Sequence, residues 1–239
     1  MLKPKVSILY IMCLFISMLY NNISAEDKFS YDYSRKVEFS GVYKPTDDFL
    51  KFIDDLNKAV ESKDDKFIYS KVSNEFYYTR DFGGMFNPKI SAVDNFSNVF
   101  VFDDKRLRKE YTGTGWKKFS ELINSKIFQY INGDICGPAE AQPEGGIFPS
   151  GDIFDYCYIN GTNVNLRDSP SFDSNILMQM SFELVKLLEY KSDWIKIETL
   201  NGIEAYVYRK YVGFFLSDKI CFRTIENEWK IVGYIGGGD

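Results

Sequence analysis

The sequence predicts an α+β protein: a small N-terminal α+β domain, then a compact β-barrel, then a closing C-terminal β-hairpin. Three observations carry that expectation. Residues 163–212 alternate apolar and polar side chains in short runs broken by turn residues. Four or five short strands in a stretch of that length leave a small, strongly bent β-barrel as the natural architecture. Upstream, Phe49, Phe52, Ile53, Leu56 and Val60 recur at helical spacing and form the apolar stripe of an amphipathic helix. Downstream, Lys219–Ile225 and Trp229–Ile235 flank a turn at Glu226-Asn227, and a hairpin of that size needs another surface to cover it.

The chain has 239 residues, enough for one large domain or two small ones. Apolar residues make up 45%, sufficient for a packed core, and aromatic residues reach an unusual 17%. A net charge of −5 argues against nucleic acid as a partner, since no basic face offers itself to phosphates. The one basic run, Lys105–Lys109, follows Asp103-Asp104 and reads as a solvated loop or strand end.

Residues 1–25 read as a secretory signal peptide. Lys3 and Lys5 precede an apolar run from Val6 to Tyr20, and Ile23-Ser24-Ala25 offers a small residue for cleavage before Glu26. The run is short for a membrane span of about 20 residues. Cys13 lacks the small residues that would precede a lipid-attachment site. An uncleaved anchor is the alternative; with cleavage, the mature protein is extracytoplasmic and has no integral membrane span. Three cysteines then remain, and an oxidising compartment permits one bridge with one thiol left over. Cys136 and Cys157 bracket a Pro/Gly-rich stretch and are the expected disulfide; three separately buried thiols are the alternative. The cysteine spacing matches no zinc pattern and the chain has no histidine, so neither metal nor cofactor is expected.

Taken in order, Lys36–Tyr43 holds one strand. Thr46 is placed as an N-cap, with Asp47 and Asp48 in the first turn, where the helix dipole favours acids. Lys51, Asp54, Asp55 and Lys58 form the wet face of that helix. Lys66–Tyr78 turns β-like through Ile68, Val72, Phe76 and Tyr78, and Asp81-Phe82-Gly83-Gly84 ends it as a turn. The Asp-Phe-Gly there has no kinase companion motifs and is a chance match. Val99–Phe102 is expected as a strand. A second amphipathic run from Gly115 to about Phe128 places Phe119, Leu122, Ile123, Ile127 and Tyr130 on one face. These elements make residues 26–136 the α+β domain, 137–153 a linker, 154–215 the barrel and 216–239 the hairpin. Within the barrel, Val164 and Leu166 open the first strand, and Asp168-Ser169-Pro170 breaks it. Leu184–Leu188, Trp194–Ile197 and Ala205–Tyr208 follow. Asn201-Gly202 is expected to close the last two as a type I′ hairpin, which needs φ > 0 at both positions.

The order V-N-L-R-D-S-P, an apolar strand, D-W-I-K-I, a turn glycine and A-Y-V-Y resembles the bacterial SH3-like domain. That family carries V-N-V-R-x-G-P, W-x-K-V and G-Y-V in the same order. Ser169 stands where the family usually has glycine, and Ala205 replaces the glycine before Tyr-Val. The resemblance covers about a quarter of the chain and implies an SH3-like β-barrel that binds rather than catalyses. The tail from Phe222 to Asp239 resembles the ending of envelope proteins in which such a unit sits between an α+β region and a closing hairpin.

The missing histidine is the most decisive functional observation. Cys-His peptidases, zinc amidases and Ser-His-Asp hydrolases all need the imidazole for proton transfer or metal binding. Carboxylate chemistry of the two-acid glycosidase kind survives, with Glu110 near the Gly113-Thr114-Gly115 turn as its best single candidate. For binding, Tyr158, Tyr190, Trp194, Tyr206 and Tyr208 are the candidate ligand-binding residues, because flat apolar faces with a polar edge suit peptides and glycans. If Ile195 and Ile197 fill the core, Trp194 points outward beside Lys196. It is then either an exposed contact or a cap over the barrel, packed on the N-terminal domain or the tail. Asp168 either forms the turn or meets a cationic ligand group. The sequons at Asn95 and Asn160 matter only in a eukaryotic secretory pathway. The expected function is an exported, non-catalytic binding protein whose SH3-like domain recognises a cell-envelope component: peptidoglycan peptide, glycan or a protein partner. The alternatives are a structural protein with its groove covered intramolecularly, and a carboxylate-dependent cell-wall glycosidase.

Overall fold

The computed structural model describes residues 34–79, 86–102, 113–149 and 151–237. The expected signal segment 1–25, the expected turn at Asp81–Gly84, Asp103-Asp104, the Lys105–Lys109 run and Glu110 lie outside the described residues. The fold is α+β, with few helices and mostly sheet.

The first helix, α1 (Asp47–Ser62), forms where the apolar stripe predicts it and buries Phe49, Phe52, Leu56 and Ala59. Thr46 holds the N-cap position, but its hydroxyl faces the Tyr43 hydroxyl at 3.2 Å and caps no helix N–H. Lys51 and Lys58 pair with Asp55 and Asp54 on the wet face. The β-like reading of Lys66–Tyr78 holds only in part: α2 (Asp65–Ser70) comes first, because the Asp64 side chain accepts the Phe67 N–H at 3.0 Å and caps a turn. The strand β3 (Val72–Thr79) follows. No strand forms at Val99–Phe102. Ser91 caps α3 (Ala92–Val99), which carries Phe96 and Val99 into the core. The helix α4 (Thr114–Ile123) ends at Asn124, so Ile127 and Tyr130 leave its face, and Tyr130 stands exposed on β4 (Phe128–Ile131).

Lys36–Tyr43 divides into β1 (Val37–Phe39) and β2 (Val42–Tyr43), which join different sheets. A six-stranded sheet runs β2, β4, β5 (Asp134–Gly137), β14 (Lys219–Ile225), β15 (Glu228–Ile235), β3. Its neighbours are antiparallel except β15 and β3. The C-terminal hairpin β14–β15 therefore occupies the middle of the sheet. The helices cover the sheet through an aromatic core that includes Phe49, Phe76, Phe96, Phe119, Phe222 and Trp116. The rings meet mostly edge to face, as between Phe49 and Phe128 (5.2 Å between centroids).

The disulfide expectation needs correction. Cys136 on β5 bonds to Cys221 on β14, not to Cys157. The two are ladder partners with Cα atoms 4.1 Å apart, whereas Cys157 is a free thiol buried in the other sheet. Proximity in sequence misleads here because the chain between Cys136 and Cys157 leaves one sheet for another. The Pro/Gly-rich stretch is also no bare linker, since β6 (Ala141–Pro143) pairs antiparallel with β1.

The remaining strands are β7 (Tyr156–Ile159), β8 (Val164–Arg167), β9 (Ile176–Met180), β10 (Leu184–Lys191), β11 (Trp194–Thr199), β12 (Glu204–Tyr208) and β13 (Val212–Phe214). They form one sheet in the order β13, β7, β10, β11, β12, β8, β9. Met180 on β9 and Val212 on β13, at opposite ends of that order, enter one core with Ile159, Leu166, Ile195 and Val207. A sheet whose two edges feed one core is curled around it. The Asn201-Gly202 turn is not type I′. Gly202 alone takes the left-handed conformation (φ 83°) in a three-residue loop, where its N–H reaches the Thr199 carbonyl and the Thr199 N–H reaches Ile203. This is a type I turn closed by a glycine bulge.

Candidate aromatic and cationic site

The β11–β12 ladder places its outer side chains by simple alternation. Ile195, Ile197, Ala205 and Val207 face the core, so Trp194, Lys196, Tyr206 and Tyr208 face away from it, with Trp194 opposite Tyr208 and Lys196 opposite Tyr206. Trp194 is only 8% exposed because Phe172 and Tyr208 cover it, with ring centroids at 5.0 and 5.5 Å. Phe172 itself is 61% exposed. The cover thus comes from the loop after β8, not from the N-terminal domain or the tail. That loop is held by Asp168, which accepts a hydrogen bond from the Asn175 amide at 2.8 Å while its backbone N–H reaches the Asn175 carbonyl. Asp168 shapes the turn that presents Phe172.

The five sequence candidates do not form one groove. Trp194, Tyr206 and Tyr208 share the outer face. Tyr206 lies under the Lys191 ammonium (5.7 Å), and its neighbour Lys196 pairs with Glu204 at 2.6 Å. Tyr190 pairs with Ile195 across the ladder and so lies on the other face, at the rim, stacked on Phe214 with the Arg209 guanidinium 5.9 Å from its ring. Tyr158 is in neither place. It is 2% exposed, packed against Phe39 and Phe215, and its ring fills the space a side chain at Gly213 would need. Burial, and then the neighbouring Cys157, raises its hydroxyl pKa. Tyr158 is a core residue, and a sequence pattern cannot distinguish a strand tyrosine under a neighbouring strand from one on an open face.

Between the two faces, the single turn Arg209–Tyr211 carries the cations that sequence reading passed over. The Lys210 ammonium is 5.7 Å from the Tyr208 ring and 4.8 Å from the Tyr211 ring. Lys126, from the segment after α4, lies 4.9 Å from the Tyr211 ring and donates to the Asn160 carbonyl. The contacts run without a break from Phe172 through Trp194, Tyr208, Lys210 and Tyr211 to Lys126. Lys126 and Lys210 border a cleft of about 590 Å³, which Tyr208 also lines. The signal in the sequence was the run Tyr208-Arg209-Lys210-Tyr211, cations interleaved with aromatic rings.

Among the described residues no group of histidine, cysteine, aspartate and glutamate is placed to hold a metal ion, and no helix is long and apolar enough to cross a membrane. Residues 162–213 match the family described as bacterial SH3 domain. The match spans β8 to β13, the strands that carry the aromatic row and the cationic turn. No curated protein and no solved structure matches the chain.

Proposed function

We propose that this is an exported, non-catalytic protein that recognises a component of the bacterial cell envelope through the outer face of its SH3-like unit. One observation carries the reading: the row Phe172, Trp194, Tyr208 is a supported aromatic surface whose outermost ring is exposed. Aromatic rings held in place by neighbours supply contact area at low conformational cost. The similarity of residues 162–213 to bacterial SH3 domains supports a module that binds cell-wall material. Export is supported by the apolar N-terminal run in the sequence and by a disulfide of the kind an oxidising compartment permits. The absence of histidine from the sequence favours binding over catalysis.

The test is cosedimentation of the mature chain with purified peptidoglycan. Phe172→Ala is the informative variant, because it removes an exposed ring and leaves the Trp194 packing partner Tyr208 in place. Retention of the wild type and at least a fivefold loss in the variant support the reading. Equal retention of both proteins removes the aromatic row from consideration.

A further inference from the structure

The cleft beside the aromatic row has a charge pattern that an aromatic platform alone does not require. Its volume of about 590 Å³ suits a short peptide better than a single small ion. One wall comes from α4 and the segment after it, the other from the Arg209–Tyr211 turn and β13. The chain is acidic overall, yet among the described residues Lys126, Arg209 and Lys210 pair with no carboxylate. Of the carboxylates in the lining, Asp218 takes Lys118 at 2.7 Å and Glu121 takes Lys117 at 3.9 Å. Asp193 is the third carboxylate of the lining; its backbone carbonyl accepts the Arg209 N–H at 2.7 Å, and its carboxylate, with no ion-pair partner among the described residues, offsets one of the three cations. Lys126 and Lys210 are held against the same Tyr211 ring. Burial lowers the pKa of Lys126; Tyr211 opposes that shift, and the charge of Lys210 adds a smaller lowering.

One further feature narrows the ligand. Leu122, Ile127 and Val212 add apolar surface. A bare phosphate or pyrophosphate would answer the cations but not the apolar wall.

We propose that this cleft binds a short acidic peptide. Its carboxylates meet Lys126, Arg209 and Lys210, and small aliphatic side chains lie on Leu122 and Val212. The proposal rests on the SH3-like unit being the recognition module and adds that the α+β unit completes the site with Lys126.

Titration calorimetry on the full mature chain tests it, with the peptide Ala-Glu-Glu-Ala, its Ala-Gln-Gln-Ala amide counterpart and pyrophosphate as probes. The wild type is expected to bind the acidic peptide. The Lys126→Gln/Lys210→Gln double variant should bind it at least tenfold more weakly, and the amide counterpart should not bind. Unchanged affinity in the variant overturns the proposal, as does displacement of the peptide by equimolar pyrophosphate. Should the double variant lose its native circular dichroism, Lys210→Gln alone, on an exposed turn, replaces it with an expected loss of at least threefold. A wild type that binds peptidoglycan but not the peptide overturns this subsite and leaves the proposed function standing. Binding to neither overturns both.

Discussion

Trp194 shows how a sequence fixes the direction of a strand side chain and leaves open what covers it. Alternation with Ile195 and Ile197 turns it away from the core, as β geometry requires. What alternation cannot supply is the partner. Phe172 arrives from a loop more than twenty residues upstream, and nothing in local periodicity reports where a loop side chain lands. Trp194→Ala is therefore expected to lower stability by about 3 kcal/mol, as for a buried ring, and Phe172→Ala by less than about 1 kcal/mol; urea unfolding of both variants checks this. A second residue-scale consequence concerns Tyr77, whose hydroxyl donates to the buried Asp134 at 3.2 Å. Burial, then the neighbouring Asp134 charge, pushes its pKa up to about 12. A tyrosine raised in the folded state keeps its full contribution below its ordinary value of 10.0 and loses it as pH climbs toward about 12. Stability is expected to fall across that window, and Tyr77→Phe should flatten the fall in thermal melts.

At the scale of elements, the segment ahead of β1 is strapped to the SH3-like unit. The Arg35 carbonyl accepts the Leu184 N–H and the Val37 N–H donates to the Phe182 carbonyl, both at 2.8 Å. Glu183 takes Ser34 and Lys36 at 2.6 and 2.7 Å. Burial raises the Glu183 pKa, but the hydrogen bonds from Lys36, Ser34 and the Ser181 N–H outweigh it and leave the carboxyl below its ordinary 4.5. A carboxylate lowered in the fold contributes above its unfolded value and loses that contribution as pH falls below it. Amide exchange at Val37 is expected to quicken relative to the six-stranded sheet below about pH 4.5, and Glu183→Gln should remove that pH dependence. The Asn201-Gly202 turn belongs to this scale too. The sequence marks a tight hairpin there, but the loop is one residue longer because Leu200 joins it, while the Thr199 hydroxyl accepts the Ile203 N–H at 3.0 Å.

For the molecule as a whole, the chain leaves the six-stranded sheet after β5, builds the seven-stranded sheet, and returns as β14 beside β5. The α+β sheet is thus assembled from both ends of the chain, and Cys136–Cys221 staples the exit to the return. The amphipathic helix, the barrel-like strand series and the final hairpin were all legible, because each is written in local periodicity. The disulfide partner, the central position of the hairpin and the composite cleft were not, because each depends on contacts across a sequence separation of the order of the 85 residues that part the two cysteines. Closing a loop of that length is worth about 4.5 kcal/mol in the chain-entropy account. Reduction is therefore expected to lower the melting temperature markedly. Cys157, which burial pushes up to about 12, should stay unreactive toward thiol reagents until the chain unfolds. Deletion of residues 216–239 should unfold the α+β part, since it removes two central strands together with Phe222 and Ile231 from its core. The aromatic row and its neighbouring cationic turn are the proposed recognition surface. Hydrogen–deuterium exchange of residues 26–239, with and without solubilised peptidoglycan fragments, tests it. Protection is expected to concentrate in residues 168–175 and 206–212, with the six-stranded sheet unchanged. Protection confined to the six-stranded sheet, or none anywhere at saturating fragment, would contradict it.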